Sequence, residues 1–170
     1  LAPRDEIATV QALVLVPTRE LAVQVRNEFE KLAYFMDFKT AAIYGGHSIK
    51  KQIEELKRGV QVVVGTPGRV LDHIRRKTLD LRETWCVTLD EADRMLDIGF
   101  RPDIEKILSS VSRKDRQTLL LSATVPPAIE RLAKRYMHEP TILDFSKDAV
   151  SGDSIEQFYF SVDKVKKFEL

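Results

Sequence analysis

Short apolar runs alternate regularly with amphipathic stretches along this chain, and this alternation constrains the fold more than any other feature. Each run stays apolar for about five residues with little period-two alternation, which is typical of strands buried on both faces. Between the runs, apolar residues recur at three- and four-residue steps, as in Ala22, Val25 and Phe29, which predicts amphipathic helices. Strands and helices in alternation predict an α/β fold with a parallel sheet flanked by helices on both faces. The runs cover residues 12–16, 40–44, 60–64, 85–89, 118–121 and 141–143.

Composition excludes several classes of protein. A chain of 170 residues with 44% hydrophobic and 31% charged residues fits one globular domain with a core of its own. The single Cys86 excludes a disulfide framework and a multi-cysteine zinc site, and favours a reducing, intracellular location. No apolar run approaches the roughly 18 residues of a membrane span, and no signal peptide opens the chain. We therefore expect a soluble, cytoplasmic protein with no membrane partner.

The character of the chain changes after the run at residues 141–143. Residues 146–154 are polar and include Gly152, as expected for a linker. Residues 155–162 alternate like a new strand, and a helical pattern begins at Asp163. A strand and part of a helix cannot bury a core on their own. We expect a first domain over residues 1–145, a linker over 146–154 and the opening of a second domain over 155–170, taken from a longer protein.

An acidic cluster, Asp90-Glu91-Ala92-Asp93, directly follows one apolar run. Ligands of parallel α/β sheets bind beyond the carboxyl ends of the strands, so the cluster lies where a site is expected. One carboxylate there could orient hydrated Mg²⁺, and its neighbour could position or deprotonate a water that attacks a γ-phosphate. The same residues also suit a helix start, with Asp90 as N-cap and Glu91 and Asp93 in the first turn.

Two segments with a threonine and an arginine follow other runs and predict helix N-termini. After the run at 60–64, Thr66 suits an N-cap, Pro67 suits the first helical position, and Arg69 lies one turn in. After the run at 12–16, Thr18 and Arg19 repeat the pattern. Free backbone N–H groups beside an arginine would bind phosphate. A helix cap with a solvated arginine also explains each segment.

Small and hydroxyl residues follow the remaining runs. Gly45 and Gly46 come directly after Tyr44 and allow either a close approach of the backbone to a ligand or a tight turn. Ser122 and Thr124 follow the run at 118–121. They could bond the acidic cluster or cap the next helix.

Taken in order, these segments resemble the motifs of DEAD-box ATP-dependent RNA helicases. They are PTRELA (Pro17–Ala22), GG (Gly45–Gly46), TPGR (Thr66–Arg69), DEAD (Asp90–Asp93) and SAT (Ser122–Thr124). Asp93 in place of a histidine indicates the DEAD class over the related DEAH class. The resemblance implies a RecA-like P-loop NTPase domain over residues 1–145 and the start of a helicase C-terminal domain over 155–170.

The resemblance also assigns roles to individual residues. It implies that Asp90 holds Mg²⁺ through water, and that Glu91 is the general base of ATP hydrolysis. Asp93, Ser122 and Thr124 would link the nucleotide state to domain closure. The expected cofactors are ATP and Mg²⁺, and the expected partner is RNA, held by its sugar-phosphate backbone without sequence preference. The RNA-binding residues would be Pro17, Thr18, Arg19, Glu20, Gly45, Gly46, Thr66, Pro67, Gly68 and Arg69.

One expected motif is missing from the sequence. No Gly-x-x-x-x-Gly-Lys-Ser/Thr segment occurs in it, although P-loop ATPases cradle the phosphates with this segment. In the resembled family it lies upstream of PTRELA, so we expect a domain truncated on its P-loop side and a chain that is inactive alone. The absent strand would pair beside the run at 118–121. Two strands would then lack a neighbour, and we expect low stability or aggregation.

Two other functions fit part of the pattern. The first is an RNA-binding module with a non-catalytic, degenerate ATPase fold, in which the acidic cluster is purely structural. The second is a DNA helicase or translocase with a similar core, although TPGR together with DEAD favours RNA. Competition between RNA and DNA that depends on the 2′-OH separates these alternatives.

The sequence gives three further side chains an ordinary structural role. His73 lacks the spacing of a metal ligand and is expected to be a surface or helix residue. Arg116 is expected to be a solvated charge. Phe35 follows the spacing of core residues.

Overall fold

The computed structural model describes residues 9–36, 38–112, 115–145 and 158. The chain divides into two compact units, residues 1–140 and residues 141–170. The predicted linker at 146–154, and the strand and helix expected after it, lie outside the described residues except for Phe158, which is exposed. The first unit contains the helices and strands given below.

The described residues of the first unit form a parallel five-stranded sheet. Its strands are β1 (Ala12–Leu15), β2 (Thr40–Ile43), β3 (Val62–Gly65), β4 (Cys86–Leu89) and β5 (Gln117–Leu120). The order across the sheet is β2-β3-β1-β4-β5, and every pair is parallel. All strands therefore end at one edge of the sheet. Central strands β1 and β3 are buried nearly throughout, as their continuous apolar runs predicted.

In the described part of this unit, six helices connect the strands or follow them. They are α1 (Arg19–Ala33), α2 (Ile49–Lys57), α3 (Pro67–Arg75), α4 (Ala92–Asp97), α5 (Arg101–Ser110) and α6 (Pro127–Tyr136). Side chains of α1, such as Ala22 and Phe29, pack with Val14 and Val64 in one apolar cluster. Side chains of α3 to α6 pack with the sheet in a second, larger cluster. The predicted α/β sheet with helices on both faces is confirmed.

The strand predicted from the run at 141–143 is wrong. Residues 141–145 have no regular secondary structure, and Ile142 and Leu143 are exposed. An apolar, β-branched run favours a strand only where a neighbouring strand completes its hydrogen bonds. No described strand pairs with this segment.

Strand β5 is an edge strand of the described sheet, and it is only half-covered. Leu119 is 37% exposed, and Leu121, just after the strand, is 50% exposed. This is the strand beside which we expected a missing neighbour. The expected low stability and aggregation remain predictions.

Among the described helices, none combines the length and the apolar composition of a membrane-spanning helix.

Two structural roles expected from the sequence are wrong. Phe35 does not join the core: it is 89% exposed at the end of α1 and meets Tyr34 edge-to-face. Arg116 is not a solvated charge. Its guanidinium donates to the carbonyls of Leu108, Val111 and Tyr136, at 2.8, 3.0 and 3.2 Å. Arg116 therefore joins the ends of α5 and α6, a contact between segments that the local sequence does not reveal.

Candidate functional site

The carboxyl edge of the sheet carries all of the singled-out motifs, in two neighbouring groups. Strands β4 and β5 lead into Asp90–Asp93 and Ser122–Thr124. Strands β1, β2 and β3 lead into Thr18, Gly45 and Thr66. This is the edge at which parallel α/β sheets bind ligands.

Asp90 and Glu91 form a tight turn between β4 and α4. The N–H of Asp90 donates to the carbonyl of Leu15 at 2.9 Å, which continues the pairing of β4 with β1. Asp90 Oδ1 then accepts the N–H of Glu91 at 3.0 Å. The N-cap of α4 is Glu91, not Asp90 as the helix-start alternative proposed.

The backbone of Glu91 is left-handed, with φ 49° and ψ 50°. For a residue with a Cβ this conformation costs roughly 1–2 kcal/mol. The turn is held by its neighbours, since the N–H of Ala92 donates to the carbonyl of Leu121 at 3.0 Å. The side chain of Glu91 points to the surface, where Oε2 meets Arg94 Nη1 at 3.0 Å. Strain of this kind is concentrated at functional sites.

Asp93 joins the acidic segment to the segment after β5. Its Oδ2 accepts the hydroxyl of Thr124 at 2.7 Å and the N–H of the same residue at 2.9 Å. The N–H of Asp93 donates to Ser122 Oγ at 3.2 Å, and this hydroxyl donates to the carbonyl of Thr124 at 2.6 Å. The first α6 residue is Pro127, and its N-cap is Pro126. Ser122 and Thr124 therefore bond the acidic cluster and do not cap the helix.

The Asp93 carboxyl is kept ionised by these bonds. Desolvation by its surroundings acts to raise the pKa of Asp93. Hydrogen bonds from Thr124, from the N–H of Arg94 and from Ser122 outweigh this effect, and the net pKa is lowered. A charged acceptor with several donors makes the stronger kind of hydrogen bond. The hydrogen bonds that link the two segments therefore favour the ionised form of Asp93.

The single carboxylate of Asp90 fits a magnesium ion that takes most of its ligands from water and substrate. The described residues contain no group of three or more His, Cys, Asp or Glu side chains that could hold a metal. Mg²⁺ commonly binds one or two carboxylates together with waters and substrate phosphates. A single carboxylate at a strand end, oriented by the N–H of Glu91, is compatible with that mode of binding.

The PTRELA segment forms the start of α1. Pro17 is buried, Glu20 is exposed, and Thr18 is the N-cap, whose Oγ1 accepts the N–H of Leu21 at 3.2 Å. The guanidinium of Arg19 lies 5.3 Å from the centre of the Tyr44 ring, which follows β2. This contact brings the first motif beside the segment that contains Gly45 and Gly46.

The TPGR segment forms the start of α3, as predicted. Thr66 is the N-cap, although its side chain accepts no capping hydrogen bond from a described N–H group, and Pro67 is buried in the first turn. Gly68 is exposed beside α5. The residue before the motif, Gly65, has to be glycine: a Cβ there would lie 2.6 Å from the carbonyl oxygen of Ile43. The end of β3, just before α3 begins, is therefore tightly packed against the end of β2.

Tyr44–His47, here called the glycine loop, connects β2 to α2. Gly46 has φ +75°, which favours glycine. Arg69 of the TPGR segment is turned towards this loop, and its Nη1 donates to the carbonyl of His47 at 3.0 Å. The three RNA-associated segments of the sequence analysis are therefore contiguous in space.

Sequence reasoning missed two residues behind this surface, Gln52 and His73. Both are buried, at 2% and 0% exposure. Their ring and amide atoms lie 3.1 Å apart, and Gln52 Oε1 also accepts Arg69 Nη1 at 3.1 Å. The expectation that His73 is a plain surface or helix residue is incomplete, since it lies on a helix but inside the protein. A signal existed: Gln52 falls with Ile49, Ile53 and Leu56 at core-facing spacing, and buried polar groups require partners.

A family model agrees with this geometry. The model for the DEAD/DEAH box helicase matches residues 2–132 of the chain. The chain belongs to the DEAD/DEAH box helicase family. Its acidic motif carries Asp93 at the last position, as expected for the DEAD form of the family.

Curated DEAD-box relatives match nearly the whole chain. An ATP-dependent RNA helicase CshA from Listeria monocytogenes is 48% identical over 161 residues, which are 95% of this chain and 31% of the relative. A DEAD-box ATP-dependent RNA helicase CshA from Geobacillus kaustophilus is 48% identical over 163 residues, 96% of this chain and 35% of the relative. The chain thus spans about a third of the length of these relatives.

Solved structures of DEAD-box proteins share the fold. A DEAD box protein from the hyperthermophile Methanococcus jannaschii matches with a TM-score of 0.73 and 51% identity, over 77% of this chain and 36% of that chain. A hypothetical ATP-dependent RNA helicase from Sulfolobus tokodaii matches with a TM-score of 0.72 and 40% identity, over 76% and 39% of the two chains. The predicted RecA-like fold is confirmed.

Proposed function

We propose that this chain is the catalytic-motif part of a DEAD-box ATP-dependent RNA helicase, which couples binding and hydrolysis of Mg-ATP to the binding and remodelling of RNA. The observation that carries the proposal is the pair of bonds from Thr124 to Asp93 Oδ2, beside Asp90 and Glu91. A purely structural helix start does not need hydrogen bonds to the end of another strand. A nucleotide site that is coupled to a second segment does need such bonds.

Within this proposal, Glu91 is the general base for the attacking water, and Asp90 holds Mg²⁺ through water. The bound ion would neutralise charge on the phosphates of ATP. The exposed, strained turn supports this assignment, because it presents the Glu91 side chain at the sheet edge without burying it. Asp93, Ser122 and Thr124 couple the nucleotide state to domain closure.

The RNA-binding part of the proposal rests on the contiguity of three segments. The helix N-termini at Thr18 and Thr66 carry backbone N–H groups suited to phosphate, and the glycine loop lies between them. Such groups contact the sugar-phosphate backbone and carry no base specificity. The proposed partner is therefore RNA of no fixed sequence, and the proposed location is the cytoplasm.

The proposal is tested by RNA-stimulated ATP hydrolysis in the full-length protein. Glu91→Gln is expected to reduce kcat by at least 100-fold, as removal of a general base does, while RNA binding is retained. Glu83→Gln is the matched control, since Glu83 is exposed just before β4, at the opposite edge of the sheet. Equal activity of the two variants would contradict the role of Glu91.

A second experiment separates the enzyme from a binding module with a degenerate ATPase fold. The observation that favours the second function is that the RNA-associated segments meet within this chain, whereas the P-loop motif is absent from its 170 residues. A fluorescent ATP analogue with Mg²⁺ is titrated into the chain and into the full-length protein. We expect binding by the full-length protein only, and no turnover by the chain. If neither binds the nucleotide, the enzyme assignment is wrong and the RNA-binding module stands.

A further inference from the structure

Gln52 lies behind the glycine loop and is almost fully buried, at 2% exposure. It projects from α2, and its amide Nε2 donates to the carbonyl of Tyr44 at 3.0 Å. Its Oε1 accepts Nη1 of Arg69 at 3.1 Å. A buried amide with partners on both atoms has a defined orientation.

The partners of Gln52 permit only one orientation of its amide. The carbonyl of Tyr44 can only accept a hydrogen bond, so the NH₂ group must face it. The guanidinium of Arg69 can only donate, so Oε1 must face that side. His73 Nε2 lies 3.1 Å from the same oxygen, so it carries the ring proton, and Nδ1 faces Thr78 Oγ1 at 2.8 Å.

The same network holds both ends of the glycine loop. Gln52 binds the carbonyl of Tyr44 at the start of the loop, and Arg69 binds the carbonyl of His47 at its end, at 3.0 Å. Because Gln52 and Arg69 also bind each other, the two ends are fixed relative to one another. The ring of Tyr44 lies under Arg19, which extends the network to the start of α1.

The two glycines of the loop offer little else to fix its conformation, since a further contact within the loop is between its ends, where the ring centroids of Tyr44 and His47 lie 5.7 Å apart. Gly45 and Gly46 are exposed, and a Cβ added at either would meet no described atom within 4 Å. Two adjacent glycines have the largest conformational freedom to lose. The backbone conformation of the loop is therefore set through its ends.

We infer that Gln52 is a positioning residue for RNA binding: it fixes the glycine loop, through Tyr44 and Arg69, in the conformation that meets the RNA backbone. This rests on the proposed function, since it assumes that the loop faces RNA. It also changes the role expected of Arg69. Its Nη1 binds both the loop and Gln52, so Arg69 supports the loop in addition to carrying a positive charge near phosphate.

The test compares Gln52 variants of the full-length protein in RNA-stimulated ATP hydrolysis. Gln52→Ala removes the network, and Gln52→Glu keeps an acceptor for Arg69 and His73 but cannot donate to Tyr44 when ionised. We expect each variant to raise the KM for RNA by about tenfold, as the loss of a buried hydrogen bond predicts. At saturating RNA, kcat is expected to stay within about twofold of wild type, because the segments that carry Asp90 and Glu91 are intact.

Gln61→Ala is the matched control. Gln61 is also a buried glutamine, at 5% exposure, and its amide also bonds the backbone: Oε1 accepts the N–H of Lys39 at 2.7 Å. It lies just before β3, at the opposite edge of the sheet. A general loss of stability would affect both glutamines, whereas a positioning role affects the KM for RNA only at Gln52.

The loop is observed directly by NMR, independently of activity. The amide resonances of Gly45 and Gly46 are expected to shift in Gln52→Ala and to stay in place in Gln61→Ala. If wild type shows RNA-stimulated hydrolysis and the Gln52 variants keep its KM for RNA, the inference is wrong and the proposed function stands. If wild type shows no response to RNA, the proposed function fails, and the RNA role of Gln52 fails with it. Unchanged glycine resonances would overturn the positioning itself.

Discussion

His73 is a buried histidine with a hydrogen-bonding partner at each ring nitrogen. Burial lowers its pKa from the usual 6.5; the positive charges of Arg69 and Arg76 lower it further, and Asp72 acts in the opposite direction. The folded state therefore resists protonation of this ring. Neutral His73 with its proton on Nε2 is a form that donates to Gln52.

This lowered pKa predicts a pH-dependent stability. Between the folded-state pKa and about 6.5 the unfolded chain binds more protons than the folded chain, so the free energy of unfolding falls as pH falls through this window. The slope from one residue is at most about 1.4 kcal/mol per pH unit. Urea unfolding at pH 7.5 and below 6.5, followed by the fluorescence of Trp85, measures it. His73→Phe is expected to remove this slope, and an equal slope in the variant would refute the prediction.

Helices α5 and α6 end on the same side chain, that of Arg116. Its guanidinium donates to carbonyls at the ends of both helices, where positive charge is favourable to the helix dipole. Burial lowers the pKa of Arg116, and the nearby Tyr136 partly opposes this effect. The group remains charged, because the ordinary pKa of arginine is so high.

Arg116→Lys is expected to loosen the ends of both helices. A lysine has one nitrogen and cannot reach three separate carbonyls, so about 2 kcal/mol of local stability is lost. Hydrogen exchange in the last turns of α5 and α6 is expected to speed up by as much as about 30-fold. The exposed Arg75 provides a control, since Arg75→Lys is expected to leave these amides unchanged. Faster exchange in only one of the two helices would show that Arg116 does not join them.

The sequence predicted the types of the helices and strands and their order along the chain well. It predicted the polar contacts between distant residues poorly. The apolar run at 12–16 became β1 with its last residue outside the strand, because hydrophobic continuity is a local signal. The strand predicted at 141–143 was wrong, because a strand also needs a neighbouring strand to complete its hydrogen bonds. The network of Gln52, His73 and Arg69 joins residues 17 and 21 positions apart, and no local pattern shows which partner each polar group will find.

The candidate site was predictable to a similar degree. Motif spacing and the rule for parallel sheets located the acidic and hydroxyl segments at one edge, and the structure brings Asp93 and Thr124 into contact. The left-handed backbone of Glu91 was not predictable, since glutamate has no preference for that conformation. It results from the tertiary bonds around the turn.

The charges of the whole molecule almost cancel, with 27 Lys and Arg against 26 Asp and Glu and a net charge of +1. A long-range field of this chain would therefore add little to the proposed attraction for RNA. In the proposed function, the affinity that this chain contributes comes from a few local cations. The salt dependence of RNA binding should then report the number of phosphates contacted, and little else.

Arg19→Gln is expected to reduce this salt dependence. If Arg19 neutralises one phosphate of single-stranded RNA, the slope of log K against log salt becomes less negative by about 0.7. Fluorescence anisotropy of a labelled RNA, titrated at several salt concentrations with the full-length protein, measures the slope. Arg82 is exposed in the connection before β4 and is paired with Asp80, so Arg82→Gln should leave the slope unchanged. The same change in both variants would point to net charge and not to a phosphate contact.

Replacing Glu91 should make the protein more stable. Asparagine adopts the left-handed conformation more readily than glutamate, so Glu91→Asn is expected to recover about 1 kcal/mol, or a rise in Tm of roughly 2–4 °C. The ion pair with Arg94 is exposed, and its loss should matter little. Thermal melting of wild type and variant measures the difference. A lower Tm in the variant would mean that the left-handed turn is not strained.

At Glu91, the residue that the proposed activity requires is therefore not the residue that would give the highest thermal stability. A selection that rewards only heat resistance would be expected to collect substitutions at this position, because asparagine or glycine suits its backbone better. Such variants would keep the sheet, the helices and the RNA-associated surface, and would lose the proposed base. Laboratory evolution towards stability would then produce, in a single substitution, a well-folded protein without the proposed ATP hydrolysis.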